Sequence, residues 1–127
     1  MNSGGDAIVY IVEVDEAVRD ALTVLLESAD YTVAAFGSSR AFLDAYRPKS
    51  RGCLLVDLDL PEMDGPQLVG ILVARGVQLP AVLMTARMRN LKLLLAPPPG
   101  VVTVLEKPFG DDQLLERIEF ALAAGAD

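Results

Sequence analysis

Side chains capable of chemistry follow apolar runs at four places in this chain. Asp57 ends the apolar run 53–56, Glu13 and Asp15 follow the run 8–12, and Thr85 and Lys107 follow two later runs. An acid that ends a buried strand and begins a loop lies at the carboxyl edge of a sheet, where open α/β folds place their chemistry. The strand ends therefore offer carboxylates, a hydroxyl and an ammonium group, and Asp57 is the most informative of these residues.

The apolar runs alternate with segments of helical period, and this alternation predicts βαβ units around a parallel sheet. Right-handed crossovers carry the carboxyl end of every such strand to one edge, so the four groups are expected to converge there. That convergence is an active-site hypothesis. The predicted strands lie near residues 8–13, 31–35, 52–57, 80–84 and 101–105, and the predicted helices near 16–28, 39–46, 65–75, 88–96 and 111–124.

Residues suited to helix ends stand where this pattern needs them. Asp15 can cap the first predicted helix, and Ser38 or Ser39 can cap the second. Pro66 suits the first turn of the third helix, and Gly76 is well placed to end it. The punctuation of the sequence therefore agrees with the alternation of strands and helices.

Composition limits the class of protein. The 127 residues are 52% hydrophobic with no linker-like segment, which predicts a single domain over residues 1–127. A net charge of −7 argues against direct contact with nucleic acid, because its sign is wrong for neutralising phosphates. We expect a cytoplasmic protein with no membrane contact and a buried, unreactive Cys53. The chain has no histidine, so any phosphohistidine must come from a partner.

Taken together, these positions make the chain resemble a response-regulator receiver domain over nearly its whole length, most closely the FixJ/NarL-type branch. The spacing Asp-x-x-x-Pro-x-x-x-Gly, followed by Thr-Ala and Lys-Pro-Phe, is highly specific for that family. The matching text is Ile11-Val12-Glu13, the run Leu55 to Gly65, Met84-Thr85-Ala86 and Glu106-Lys107-Pro108-Phe109. The resemblance implies an α/β fold, a doubly wound (βα)5 parallel sheet of flavodoxin-like type with strand order 2-1-3-4-5.

The resemblance also implies roles for the strand-end residues in two-component signalling. Asp57 would accept a phosphoryl group from a sensor histidine kinase or a phosphotransfer protein, Lys107 would pair with that group, and Thr85 would hydrogen-bond it. Mg²⁺ would be held by Glu13, Asp57 and the backbone carbonyl of Asp59. These groups suit phosphoryl transfer, which depends on positioning and on neutralising charge at the equatorial oxygens. The implied domain is a switch and not an enzyme that turns over an external substrate.

Val14 is the first departure from the family pattern, because receivers usually carry a second acid there that touches the metal. Asp15 is a further candidate ligand, although we favour its use as the N-cap of the first helix. Mg²⁺ is often held by one or two carboxylates together with waters and phosphate oxygens. The loss of the acid at position 14 therefore predicts weakened rather than absent Mg²⁺ binding.

Two further departures concern the surface expected to signal. Val104 stands where most receivers place an aromatic ring that moves with the Thr hydroxyl, so the usual relay is not expected here. The run Pro97-Pro98-Pro99-Gly100 predicts a stiff loop, with a polyproline docking segment as the alternative. It borders the face of the fourth helix, fifth strand and fifth helix, through which the resemblance implies a possible homodimer. The leucines at 91 and 93–95 predict either a distorted, buried fourth helix or an apolar patch.

Two competing functions stay open at this stage. One is a pseudo-receiver that signals by association without phosphorylation, which Val14, Val104 and the three prolines support. The other is a haloacid-dehalogenase-type phosphatase, because Asp57 and Asp59 match its Asp-x-Asp motif of nucleophile and acid/base. Such enzymes generally need a longer chain and a further acidic pair at a later strand end. The leading expectation is a phosphoacceptor receiver that signals through protein contacts.

Overall fold

A five-stranded parallel sheet forms the centre of this computed structural model, which describes residues 7–48, 51–86 and 95–125. Numbered along the chain, the strands lie in the order 2-1-3-4-5, and every neighbouring pair is parallel. The predicted doubly wound fold is thus confirmed. The strands are β1 Ile8–Val12, β2 Thr32–Phe36, β3 Gly52–Asp57, β4 Ala81–Thr85 and β5 Val101–Glu106.

Four helices are present among the described residues. Each predicted strand or helix that lies within these residues has observed ends within one residue of the predicted ones. The predicted helix near 88–96 lies, apart from its last two positions, outside the described residues, as do the leucines at 91, 93 and 94. The helices are α1 Glu16–Ser28, α2 Ser39–Ala45, α3 Gly65–Ala74 and α4 Asp111–Ala124.

The sheet separates two apolar cores, because successive residues of a strand point to opposite faces. All residues of β3 and β4 are buried, as is typical of parallel strands covered on both sides. The first core joins Ile11, Leu55 and Met84 to Leu26 of α1 and Ile118 of α4. The second core joins Val12, Leu54 and Leu83 to Phe42 of α2 and Leu68 of α3.

The helix ends use the residues that the sequence offers for them. Asp15 caps α1 by accepting hydrogen bonds from the backbone N–H groups two and three residues ahead. Of the two candidate serines, Ser38 caps α2. Asp64 caps α3 in a reciprocal capping box, with Pro66 in the first turn, and Gly76 follows the end of that helix with a φ of 74°.

Cys53 is fully buried in β3, as predicted. Burial raises the pKa of its thiol to about 12, because the thiolate would lose its hydration in the apolar core. The residue therefore packs as a small apolar group. In the part of the chain that the structure describes, no helix has the length and apolar character needed to cross a membrane.

Candidate functional site

The ammonium group of Lys107 holds two carboxylates at the carboxyl edge of the sheet. Its Nζ donates to Glu13 Oε1 at 2.9 Å and to Asp57 Oδ2 at 3.0 Å. The three residues lie at the ends of β5, β1 and β3, so the parallel topology brings together groups from distant parts of the chain. The side chains of Glu13 and Asp57 are only 4% and 12% exposed. Lys107 therefore compensates two negative charges that are largely removed from water.

The pKa of Lys107 reflects this position. Burial lowers its pKa, but the hydrogen bonds and the negative charges of Glu13 and Asp57 outweigh that effect and raise the pKa above its ordinary value of 10.5. Lys107 consequently carries a positive charge near neutral pH. The peptide bond between Lys107 and Pro108 is cis. A fixed ammonium beside Asp57 is placed to neutralise charge that develops on a group bound there.

Hydrogen bonds also fix the loop that follows Asp57. The second carboxylate oxygen, Oδ1, accepts from Asp59 N at 3.3 Å, and Leu58 N donates to Met84 O at 2.7 Å. Gly65 at the start of α3 donates its N–H to Leu58 O at 3.2 Å. A Cβ atom at Gly65 would lie 2.6 Å from Asp57 O, so any side chain there would push the loop away. The loop and the carboxylate are thus held together.

Thr85 and Val104 lie on the neighbouring strands β4 and β5. Thr85 is 1% exposed, and its backbone oxygen accepts a hydrogen bond of 2.7 Å from Lys107 N. The residue before it, Met84, is the register partner of Asp57 on the adjacent strand. Val104 is 6% exposed and belongs to the core against α2 and α3. Position 104, where most receivers carry an aromatic ring, therefore holds a buried aliphatic side chain.

In the loop between β1 and α1, Glu13 contacts the site and Asp15 caps the helix. Glu13 Oε2 accepts from Asp15 N at 3.1 Å, while its other oxygen binds Lys107. The carboxylate of Asp15 caps α1, accepting from Ala17 N at 2.9 Å. Of the two roles considered for Asp15, the structure shows the capping one, because that carboxylate is already bound to the helix end. Val14 between them is 47% exposed, and its side chain has no oxygen atom.

Arg19 on α1 contacts the outer side of this loop and was not among the residues predicted for the site. Its Nη1 donates to Glu13 O at 2.7 Å and to Val14 O at 3.3 Å. The signal for it in the sequence is weak, since an arginine in the second turn of a helix is ordinarily a solvated residue. Only the observed direction of the two carbonyl groups reveals the contact.

The donor atoms near Asp57 suit Mg²⁺, a hard cation that binds oxygen and keeps several of its own waters. The predicted ligands are the carboxylates of Glu13 and Asp57 and the backbone carbonyl of Asp59, two charged groups and one neutral oxygen. Among the described residues no group of three or more acids or cysteines has the arrangement of a ready metal cluster. The set is therefore sparse, and Lys107 occupies an oxygen of each carboxylate.

The three prolines precede β5 as an irregular segment. Pro98 O accepts from Val101 N at 3.0 Å, and Gly100 adopts a φ of 93°. A Cβ atom at Gly100 would lie 2.6 Å from a methyl carbon of Val69 on α3. The segment thus turns the chain tightly into β5 with Gly100 close to α3, and its stiffness stays a prediction.

Known proteins resemble this chain in both sequence and structure. Residues 9–119 match the profile of the response regulator receiver domain. The chain is 38% identical over 114 residues to the transcriptional regulatory protein FixJ of Bradyrhizobium diazoefficiens. The matched segment covers 90% of this chain and 56% of that protein. It superimposes on the response regulator StyR with a TM-score of 0.88 and 35% identity, over 95% of this chain and 61% of that one. It superimposes on FixJ-N with a TM-score of 0.79 and 30% identity, and the match covers 93% of this chain and 94% of that one. The chain spans about half the length of the curated relatives it matches.

Proposed function

The chain belongs to the response regulator receiver domain family, and on that premise we propose that Asp57 accepts a phosphoryl group from a partner's phosphohistidine. The observation that carries the proposal is the contact of Lys107 Nζ with both Asp57 and Glu13. The chain has no histidine, so the donor is a sensor histidine kinase or a phosphotransfer protein. The domain then acts as a switch in two-component signalling.

In the proposed transfer, a carboxylate oxygen of Asp57 forms a bond to phosphorus as the bond from phosphorus to the donor's imidazole nitrogen breaks. The imidazole nitrogen keeps the electron pair of that bond. Lys107 neutralises charge on the oxygens of the transferred group, and the Thr85 hydroxyl donates to one of them. Lys107 and the N–H of Asp59 hold the two oxygens of Asp57, so the nucleophile is oriented before the donor arrives.

Receiver domains generally bind Mg²⁺ at the phosphorylation site, where the ion neutralises charge on the phosphoryl oxygens. In this chain Glu13, Asp57 and the carbonyl of Asp59 would hold it. We propose a lower affinity than receivers with two adjacent acids have, for two reasons. The side chain of Val14 offers no oxygen ligand, and Lys107 already binds the same two carboxylates, so metal and ammonium compete for them.

The phosphoryl donor needs a surface beside Lys107. An open, largely apolar groove runs there between α1 and the loop before α4, and it includes Val24, Leu25 and Phe109. Val24 is 67% exposed. We propose that a helix of the kinase or phosphotransfer protein packs in this groove, in the cytoplasm where such kinases use ATP.

The output of the domain is proposed to pass through other protein contacts. The described part of the expected homodimer face includes Phe120 on α4, which is the fifth of the predicted helices. Phe120 is 56% exposed. Relatives such as FixJ are named transcriptional regulatory proteins. The net charge of −7 nevertheless favours protein contacts over direct DNA binding by this chain.

The two competing functions receive less support. A phosphorylation-independent receiver draws on Val14 and Val104, but the partly buried contact of Lys107 with Asp57 supports phosphoryl acceptance. The phosphatase alternative is set aside because residues 9–119 match the receiver family. Members of that family generally are not metabolic enzymes.

The test is intact-mass measurement after incubation with acetyl phosphate and Mg²⁺. We expect one phosphoryl adduct on the wild-type chain, none on Asp57→Ala, and an adduct on Asp59→Asn. The last variant is a matched control, because the side chain of Asp59 is exposed and the residue contributes to the proposed site through backbone atoms alone. An adduct on Asp57→Ala, or no wild-type adduct even at high Mg²⁺, would overturn the proposal. Loss of the adduct in Asp59→Asn would revive the phosphatase motif.

A further inference from the structure

We infer that Arg19 is a positioning residue that fixes the carboxylate of Glu13 at the metal and phosphoryl site, an inference that rests on the proposed function. Its guanidinium donates to backbone oxygens of the loop and not to the carboxylates of Glu13 or Asp57. It reaches the site through the backbone carbonyls of Glu13 and Val14, and the second of these belongs to the peptide unit between Val14 and Asp15. The two ends of that unit are held from opposite sides of the loop.

The geometry of a trans peptide makes this coupling strict. Its carbonyl and its N–H point in opposite directions in one plane, so fixing one direction fixes the other. Arg19 Nη1 holds Val14 O at 3.3 Å on the α1 side, and Asp15 N donates to Glu13 Oε2 at 3.1 Å on the other. Arg19 also holds Glu13 O at 2.7 Å, which fixes the preceding peptide. The guanidinium thereby aims an N–H group at the Glu13 side chain.

The contacts continue without a break from Arg19 to the phosphorylation site. Glu13 receives the Asp15 N–H on Oε2 and Lys107 Nζ on Oε1, at 2.9 Å. Lys107 in turn donates to Asp57 Oδ2 at 3.0 Å. Position 14 provides no second acid and Asp15 caps α1, so Glu13 is the only carboxylate that this loop offers to the site. Its orientation therefore depends on the peptide that Arg19 holds.

Gly37, directly after β2, leaves space for the guanidinium. A Cβ atom at Gly37 would lie 3.2 Å from Arg19 Nη1, closer than most carbon contacts allow. The backbone of Gly37 is not in the left-handed region, so a side chain there would displace Arg19 rather than strain the chain. Gly37→Leu therefore offers a second way to move the guanidinium while keeping its charge.

The sign of the change in Mg²⁺ affinity separates positioning from charge. Removing a nearby cation would by itself tighten Mg²⁺ binding, because like charges repel. If Arg19 positions Glu13, Arg19→Gln weakens binding by about tenfold, as loss of an outer hydrogen-bond partner of a ligand does. Arg19→Lys and Gly37→Leu keep the charge and should give smaller losses. Arg75→Gln, at the exposed end of α3 far from the site, is the charge-matched control and should change nothing.

The deciding experiment is a double-mutant cycle on the full chain, with MgCl₂ titrated by calorimetry. Arg19→Gln should weaken binding in the wild-type background and change it less than about twofold in Glu13→Ala, since its effect passes through Glu13. Equal weakening in both backgrounds, no change, or tighter binding would overturn the inference.

A metal-free measurement completes the test. Hydrogen exchange of the Asp15 amide, followed by NMR, should be slow in the wild type and several-fold faster in Arg19→Gln and in Glu13→Ala, with the double variant no faster than Glu13→Ala. An unchanged rate in Arg19→Gln would overturn the inference even in a protein that binds Mg²⁺ too weakly to titrate. Failure of the proposed function looks different, because it is the absence of a phosphoryl adduct on Asp57 of the wild type.

Discussion

The two sides of the site are built in different ways. The polar side, Glu13, Asp57 and Lys107, is joined by charged hydrogen bonds of 2.9 and 3.0 Å. The packed side, Thr85 and Val104, is buried at 1% and 6% exposure, with an aliphatic residue where receivers usually carry a ring. The polar side carries the groups that the proposed phosphoryl acceptance uses. The packed side lacks the ring that usually reports it.

This contrast indicates that acceptance and output are separable properties of the fold. Charge neutralisation depends on a few distances at the strand ends and is present here. Reporting depends on a side chain with two stable positions, because a modification shifts a population only if it favours one of them. A buried valine is stiff at χ1 and packs in one place. Output in this chain should therefore use an element other than position 104.

Removal of Lys107 should break the polar side most completely. We expect Lys107→Met to slow phosphorylation by acetyl phosphate by about 100-fold or more, because no ammonium group then faces the developing charge. The measurement is the rate of adduct formation by intact mass at fixed Mg²⁺. Arg75→Gln serves as the control for loss of a positive charge. A rate within about threefold of the wild type would show that Lys107 is dispensable.

Enlarging Val104 should perturb the packed side without touching the polar one. Val104→Phe adds volume to a filled core and should lower the free energy of unfolding by about 1–3 kcal/mol. Its phosphorylation rate should stay near that of the wild type. Chemical denaturation and adduct formation measure the two effects. Val24→Phe, at an exposed position of α1, should leave stability nearly unchanged. A large fall in the phosphorylation rate of Val104→Phe would contradict the separation of the two sides.

Restoring the missing acid should sharpen the polar side. Val14→Asp should tighten Mg²⁺ binding by about tenfold, which is about 1.4 kcal/mol, because it adds a charged oxygen ligand beside Glu13. Val14→Asn has nearly the same shape and no charge, so it should give a smaller gain. Calorimetric titration with MgCl₂ gives both values. Equal affinity in wild type and Val14→Asp would show that position 14 does not reach the ion.

The loop between β3 and α3 contains a strained residue. Glu62 adopts a φ of 66°, in the left-handed region that asparagine and glycine tolerate better. Glu62→Asn should therefore raise the free energy of unfolding by about 0.5 kcal/mol. The matched control is Glu27→Asn on α1, where asparagine is a poorer helix former and should destabilise slightly. Urea denaturation of both variants decides between these signs.

The pH dependence of stability should identify Lys107 once more. Its pKa is raised on folding, so its contribution is fully present below pH 10.5 and is lost as the pH rises through the higher folded value. Burial also raises the pKa of Tyr10, Tyr31 and Tyr46, so their ionisation lowers the free energy of unfolding of the protein over the same alkaline range. The difference between wild type and Lys107→Met isolates the lysine. That difference should shrink above pH 10.5 and stay constant between pH 7 and 9.

The fold could be predicted closely from the sequence because its signals are local and repeated. Apolar runs, helical periods and caps such as Asp15 each constrain a few residues, and they agree with one another. The convergence of Glu13, Asp57 and Lys107 follows from parallel topology, which places all strand ends at one edge. These features need no knowledge of side-chain packing.

Other parts of the site depend on directions that a sequence does not display. Arg19 matters because two carbonyl groups point at it, and Glu62 is strained because the turn after Pro61 closes there. Ser39 was considered as a cap, yet its hydroxyl instead donates to Met63 O at 3.0 Å and joins α2 to the loop after β3. Both serines have the same chemistry, and only the backbone path distinguishes them.

The inert thiol in β3 has a practical consequence for watching this switch. Cys53 is the only cysteine, it is fully buried, and its pKa of about 12 leaves almost no thiolate at neutral pH. A second cysteine introduced on the surface would therefore react alone with a fluorescent maleimide or a spin label. Probes placed singly on α2 or α4 could then follow phosphorylation in real time, in a chain that keeps its native core.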